Sequence, residues 1–65
     1  MCESSVYLVR GTAKDLVMAE VARMTVAGNT ITCFDTLGER KTLEGVRIAE
    51  ANLLKHEIIL EPAKG

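Results

Sequence analysis

The sequence is poor in the residues that build catalytic and nucleic-acid-binding sites. It contains one His, one Tyr, one Phe and no Trp among 65 residues, and no Gly-rich phosphate-binding loop occurs. Proteins that bind single-stranded nucleic acid usually stack bases on several aromatic side chains. The eight Lys and Arg residues are spread along a chain of formal net charge −1, whereas nucleic-acid binding requires clustered positive charge. The composition therefore argues against an enzyme and against nucleic acid as a partner.

Long apolar runs are also absent. The longest unbroken apolar segments contain only a few residues, so the sequence predicts neither a signal peptide nor a membrane-spanning segment. The two cysteines, Cys2 and Cys33, are too few for a disulfide framework. We therefore expect a cytoplasmic protein that has both thiols free and no association with membranes.

The overall composition is that of a small folded domain. Hydrophobic residues make up 48% of the chain and charged residues 26%, which is typical of a globular protein. A domain of this size buries only about 60% of the surface that its unfolded chain exposes. Small domains with so little core usually gain stability from a disulfide, a metal ion or a second subunit.

Apolar periodicity favours strands over helices throughout the chain. Gly28-Asn29 predicts a tight hairpin turn and Gly45 a bend, while residues 10–15 and 37–39 read as loops or turns. The segment 49–55 has good helix propensity but is short, and we interpret it as a strand that runs into a turn. The predicted strand or short apolar segments are 5–9, 16–18, 21–26, 30–34, 41–43, 46–49 and 57–60.

This pattern predicts an all-β fold of six to seven short strands. We expect a small antiparallel β-barrel or a curled sheet of SH3-like size, with residues 1–61 as a single β domain. Pro62 cannot continue a ladder of hydrogen bonds, so residues 62–65 are expected to be a frayed tail.

The opening Met1-Cys2-Glu3 is the most unusual chemical feature. A Cys at position 2 places a thiolate beside the α-amino group, so the Met1 amine, the Cys2 amide nitrogen and the Cys2 sulfur can form adjacent chelate rings. Mixed nitrogen and thiolate ligands in a plane suit Ni(II) or Cu(II), whereas Zn(II) prefers a tetrahedral set that this sequence does not supply. The alternative is that Cys2 is only a small hydrophobic residue at the start of the first strand.

A homodimer would improve such a site. A two-fold axis repeats the same surface on both subunits, so it could bring two Cys2 thiolates together. We interpret Cys33, which shares a strand face with Ile31, as a core residue and His56 as a solvated turn residue.

The sequence resembles the CooT family of nickel-binding accessory proteins for carbon monoxide dehydrogenase maturation. The initial Met1-Cys2 is the most specific element of a resemblance that spans residues 1–61. The other matching segments are 6–8, 15–18 with Val21, 34–44 and 55–61. The resemblance implies a small β protein that forms homodimers and binds nickel through Cys2, with Met1 as its neighbour.

The leading hypothesis is a non-enzymatic protein that binds Ni(II) and delivers or senses it for a nickel enzyme, with the metal held by Cys2 and Met1 at a homodimer interface. The alternative hypothesis is a small RNA-binding or regulatory β module.

Overall fold

The computed structural model describes residues 3–63, and these form an all-β fold of two curled sheets. No helix occurs within this range. The seven strands are β1 (Ser4–Arg10), β2 (Ala13–Val21), β3 (Arg23–Ala27), β4 (Thr30–Phe34), β5 (Arg40–Glu44), β6 (Val46–Asn52) and β7 (Glu57–Pro62). The predicted all-β class and strand number are confirmed. Of the two expected architectures, the curled sheet is correct and the closed barrel is not.

The larger sheet has four strands in the order β2-β1-β7-β6. β1 pairs with β2 antiparallel, and β6 pairs with β7 antiparallel. At the centre, β1 and β7 run parallel, with Ser5 opposite Glu57 and Leu8 opposite Leu60. This parallel pair is not among the hairpin pairings that the sequence predicts. The first and last strands of the chain meet there, and short-range periodicity carries no information on that pairing.

The smaller sheet is a meander of β3, β4 and β5. β3 and β4 are joined by the predicted turn at Gly28-Asn29, where Gly28 has a φ of +59°. A positive φ at the first of the two turn residues is a conformation that glycine adopts without a steric penalty. The hairpin therefore follows directly from the local sequence.

The core lies between the two sheets. Val6 and Leu60 of the larger sheet and Ile31 and Cys33 of β4 are completely buried. Val21 and Val46, which lie at the end of β2 and the start of β6, complete the buried set. Burial of each large aliphatic side chain stabilises the fold by about 1.5–3 kcal/mol. The prediction that Cys33 is a core residue is confirmed.

Three strand boundaries differ from the sequence prediction. The predicted loop or turn at residues 10–15 is a tight hairpin turn at Gly11, and it is shorter than expected, so β2 begins at Ala13. The predicted strand 21–26 is broken at Ala22, whose amide nitrogen donates to the Phe34 carbonyl oxygen at 2.8 Å. β7 extends to Pro62, and the Ala63 amide nitrogen donates to the Gly45 carbonyl oxygen at 2.9 Å. A proline at the end of a strand lacks only its own donor, so the pairing can continue past it.

The turns lie at two opposite ends of the molecule. We call the end at which β1 begins the proximal end; the β4–β5 turn and the β6–β7 turn also lie there. The other end, the distal end, carries the turns at Gly11, Gly28 and Gly45, each with a positive φ. Of the residues that the sequence suggested as metal ligands or reactive groups, His56 lies in a turn of the proximal end. Met1 and Cys2 precede β1 in the sequence, and Cys33 is in the core.

Candidate functional site

The start of β1 is anchored on both sides at the proximal end. On one side, Ser4 pairs with Val21, and the Ser5 hydroxyl donates to the Ala19 carbonyl oxygen at 2.8 Å. On the other side, the Ser5 amide nitrogen donates to the His56 carbonyl oxygen at 2.9 Å. The chain immediately before Ser4 therefore enters the fold between the end of β2 and the β6–β7 turn.

The β6–β7 turn is ordered by its own hydrogen bonds. The Asn52 side-chain oxygen accepts a hydrogen bond from the Lys55 amide nitrogen at 3.0 Å. His56 closes the turn with a φ of +56°, the only positive φ at a non-glycine residue among residues 3–63. Asn, Asp and His enter the left-handed region more readily than other non-glycine residues. The side chain of His56 is exposed, so its interpretation as a solvated turn residue is confirmed.

The β4–β5 turn lies on the opposite side of the β1 start. One carboxylate oxygen of Asp35 accepts hydrogen bonds from the amide nitrogens of Leu37 and Glu39, both at 2.9 Å. This turn forms one wall of a shallow hollow whose other wall is the end of β2. The hollow is lined by Met18, Ala19, Glu20, Asp35, Thr36 and Leu37.

Both turns expose leucine side chains. Leu37 is 88% exposed, and Leu53 and Leu54 are 81% and 94% exposed. Leu37 and the Leu53-Leu54 pair therefore flank the start of β1 from two sides. Sequence reasoning did not single out these residues, although the apolar pair between the polar residues Asn52 and Lys55 was a visible signal.

The two residues predicted to bind metal, Met1 and Cys2, lie outside the described residues. Cys33 lies far from this chemistry because its thiol is enclosed in the core. Burial raises the pKa of the Cys33 thiol above its ordinary value, which favours the protonated form over the thiolate that metals require.

The described residues by themselves do not form a metal site. Within residues 3–63, no group of three or more His, Cys, Asp or Glu side chains could hold a metal ion. The proximal end does carry the imidazole of His56, and Glu3 joins Cys2 to the anchored start of β1. Thiolate, imidazole and backbone nitrogen are ligands that Ni(II) accepts.

Many of the positive charges are already engaged with neighbouring groups. Arg10, Lys14 and Arg47 pair with Asp15, Glu57 and Glu61 at 3.9, 3.9 and 2.6 Å. The Arg23 guanidinium lies 4.0 Å from the centre of the Phe34 ring, and the Lys41 ammonium donates to the Val17 carbonyl oxygen at 3.1 Å. These contacts distribute the positive side chains among separate carboxylate, aromatic and carbonyl neighbours, which differs from the clustered positive surface that nucleic-acid binding needs.

Comparison with known families decides the family of this chain. Residues 1–61 match the model of the family described as CO dehydrogenase accessory protein CooT. The chain belongs to the CooT family. This match confirms the resemblance drawn from the sequence and spans the anchored β1 start, both proximal turns and almost all of β7. The CooT family is described as accessory to an enzyme, which agrees with a role in support of CO dehydrogenase.

A solved structure shares the fold. The crystal structure of a protein described as a CooT from Carboxydothermus hydrogenoformans superposes with a TM-score of 0.84 at 25% sequence identity. The alignment covers 97% of this chain and 100% of that chain. No curated protein matches the sequence.

Because residues 3–63 contain no helix, this part of the chain holds no helical segment that could span a membrane.

Proposed function

We propose that this CooT-family protein binds Ni(II) and delivers or senses it for a nickel enzyme such as CO dehydrogenase. The Cys2 thiolate is the principal ligand. A backbone nitrogen of Met1 or Cys2 contributes to the same site, and a homodimer brings together one thiolate from each subunit. The family match over residues 1–61 carries this proposal, because it links the chain to a metalloenzyme's accessory protein.

The placement of the β1 start supports a site near Cys2. Cys2 precedes Ser5 by three residues, so the covalent chain keeps its Cα atom within about 11 Å of the Ser5 Cα atom. Ser5 is held by the Ala19 and His56 carbonyl oxygens. A ligand attached this closely to a fixed strand loses less conformational freedom on binding metal than a ligand on a long tail.

The exposed leucines support the homodimer. Leu37, Leu53 and Leu54 lie on both sides of the β1 start, and a second copy that covered them would lie close to Cys2. A two-fold axis at this end would bury the same leucines on both subunits and set the two Cys2 residues near one another. The dimer would thus add buried apolar surface to a small core and ligands to the metal.

The test is a Ni(II) titration of reduced protein under anaerobic conditions. Wild-type protein should develop ultraviolet thiolate-to-nickel charge-transfer bands and should saturate at one metal per two chains. Cys2→Ser should lose these bands and the binding while it keeps the same far-ultraviolet circular dichroism. Cys33→Ala is the matched control, since it removes the other thiol and should leave the bands unchanged. Unchanged nickel affinity in Cys2→Ser would contradict the proposal.

A further inference from the structure

The outer face of the smaller sheet carries two arginines on either side of the only phenylalanine of the chain. Arg23 of β3 pairs with Phe34 of β4, and Phe34 pairs with Arg40 of β5. Cross-strand partners lie on the same face of a sheet, so these three side chains form one row across all three strands, which we call the arginine row. The other face of the same sheet carries Ile31 and Cys33 and packs into the core.

The arginine row presents two planar cations to solvent. Arg23 and Arg40 are exposed, Phe34 is half-buried, and the Arg23 guanidinium lies over the Phe34 ring at 4.0 Å from its centre. A guanidinium in this position can still donate hydrogen bonds from its N–H edges. The Cα atoms of the two arginines are about 10 Å apart across two strand spacings, and the contact with Phe34 draws the Arg23 charge toward the middle strand.

Neither arginine is neutralised within the described part of the chain. The ion pairs of residues 3–63 are formed by Arg10, Lys14 and Arg47, which all belong to the larger sheet. The side chains of Arg23 and Arg40 also donate no hydrogen bond to a protein group in this range. Their N–H groups are therefore available to a partner.

The carboxylates closest to the arginine row do not occupy it. One oxygen of the Asp35 carboxylate accepts the two amide hydrogen bonds of the β4–β5 turn, and Glu39 is exposed without an ion pair among residues 3–63. Glu44 lies on the same face as the arginine row but at the distal end of β5. A neutral row separates Glu44 from the arginines, namely Thr25, Thr32 and Thr42. The face is thus positive at its proximal end and negative at its distal end.

The chemistry of the arginine row favours carboxylates over nucleic acid. The planar fork of a guanidinium matches the two oxygens of a carboxylate, and such hydrogen bonds are strengthened by the charges. Nucleic-acid binders usually stack bases on an open aromatic ring, whereas the Phe34 ring is covered by Arg23. A line of phosphates that continued along the strands would also meet Glu44.

We propose that the arginine row is a docking site for an acidic segment of a partner protein. Charge complementarity carries this inference: two exposed guanidiniums without a carboxylate partner in the described range lie side by side on an uncovered sheet face. Carboxylates at alternate positions of an extended segment are about 7 Å apart, a spacing within reach of two flexible arginine side chains. The CooT family is described as accessory to an enzyme, and an accessory protein needs a surface that contacts a partner. The inference goes beyond nickel binding and does not involve Cys2.

The experiment uses tag-free, full-length, ¹⁵N-labelled protein without added metal. The probe is an end-blocked synthetic peptide in which Glu alternates with Ser, and the matched peptide has Gln in place of Glu. Backbone amide and arginine Nε–Hε signals are followed by NMR during titration at low ionic strength. The test variant is Arg23→Gln with Arg40→Gln. The control variant is Arg10→Gln with Arg47→Gln, which removes the same charge from the larger sheet.

We expect the acidic peptide to shift the Arg23 and Arg40 signals in a saturable manner and the Gln peptide to leave them unchanged. The test variant should bind the acidic peptide about tenfold more weakly or worse, because two charge-assisted contacts are lost. The control variant should bind as wild type does. Arg40→Lys should bind with intermediate affinity, since it keeps the charge and loses the planar fork. The amide spectrum of each variant shows directly whether it is folded.

Three results would overturn the inference: no shift of the two arginine signals, an equal loss of affinity in the control variant, or tighter binding of a single-stranded RNA to the same residues. The last result would assign the surface to nucleic acid. Cys2→Ser should bind the acidic peptide as wild type does. Failure of the proposed nickel function, which is nickel binding that survives Cys2→Ser, is therefore a separate outcome.

Discussion

Cys33 is a thiol that the fold keeps apart from metal chemistry. Its side chain is completely buried in β4 beside Ile31, which is also completely buried. Thr32, which lies between these two residues in β4, is on the opposite and less buried face of the small sheet. Its hydroxyl shares a hydrogen bond of 3.1 Å with the hydroxyl of Thr42. Of the two cysteines, only Cys2 therefore remains a candidate for the proposed metal site.

Replacing the buried thiol should reduce stability. Cys33→Ser places a hydroxyl where no polar partner is present among the described core residues, and we expect the free energy of unfolding to fall by about 1–3 kcal/mol. Urea denaturation followed by circular dichroism measures this change. Thr32→Ser on the opposite face of the same strand is the control and should cost less. A Cys33→Ser protein as stable as wild type would show that the core tolerates the hydroxyl.

The raised pKa of Cys33 has a consequence for alkaline pH. Above about pH 8.5 the unfolded chain releases the thiol proton while the folded protein retains it, so stability falls as the pH rises. In a Cys2→Ser background, where Cys33 is the only thiol, this alkaline loss should be present. Cys33→Ala in the same background should lack that component, and identical pH profiles for the two proteins would refute the assignment.

Among the elements, the connection between β5 and β6 joins the two sheets. Gly45 has a φ of +73°, and its amide nitrogen donates to the Asn29 carbonyl oxygen at 2.8 Å. Val46 donates to the same oxygen at 3.1 Å, and Ala63 donates to the Gly45 carbonyl oxygen. One glycine therefore links the β3–β4 turn, the start of β6 and the end of β7.

A side chain at position 45 should destabilise the protein through the backbone alone. A Cβ atom added to Gly45 would meet no atom within 4 Å, so Gly45→Ala introduces no clash. The positive φ should nevertheless cost about 1–2 kcal/mol. Thermal and urea unfolding measure the loss, and Gly45→Asn should lose less because Asn tolerates the left-handed region. Equal stability of Gly45→Ala and wild type would argue against this conformation in solution.

At the scale of the whole molecule, the most exposed leucine side chains are concentrated at the proximal end, where β1 begins. The three most exposed leucines lie in turns on either side of the β1 start, while the glycine turns of the distal end expose no comparable side chains within the described range. This asymmetry favours the proximal end as the place of the proposed homodimer interface. If the proposed metal site forms there too, dimerisation and metal binding would depend on the same surface.

A charge placed among the exposed leucines of the proximal end should weaken both the proposed dimerisation and the proposed nickel binding. Leu54→Asp should shift the protein toward monomer by at least about tenfold in dissociation constant, since burial of one leucine is worth about 1.5–3 kcal/mol. Analytical ultracentrifugation measures the shift, and nickel affinity should fall with it. Leu16→Asp, the same change at an exposed leucine in the middle of β2, is the control. An unchanged dimer in Leu54→Asp would place the interface elsewhere.

The sequence by itself determined the class of the protein and most of its local structure. Alternation of apolar residues predicted β4 with its buried Ile31 and Cys33, and Gly28-Asn29 predicted the hairpin before it. These features depend on residues only a few positions apart in the sequence, so apolar periodicity and turn residues are enough to predict them. The Met1-Cys2 opening also identified the candidate metal ligand and the family.

Only the tertiary structure decided how distant segments meet. The parallel pairing of β1 with β7, the approach of His56 to Ser5, and the position of Leu37 and Leu54 on either side of the β1 start depend on contacts across the whole chain. Such pairings are selected by burial of the shared core and not by local propensity. For this reason the sequence could suggest Cys2 as a ligand but could not show which turns lie beside the start of β1.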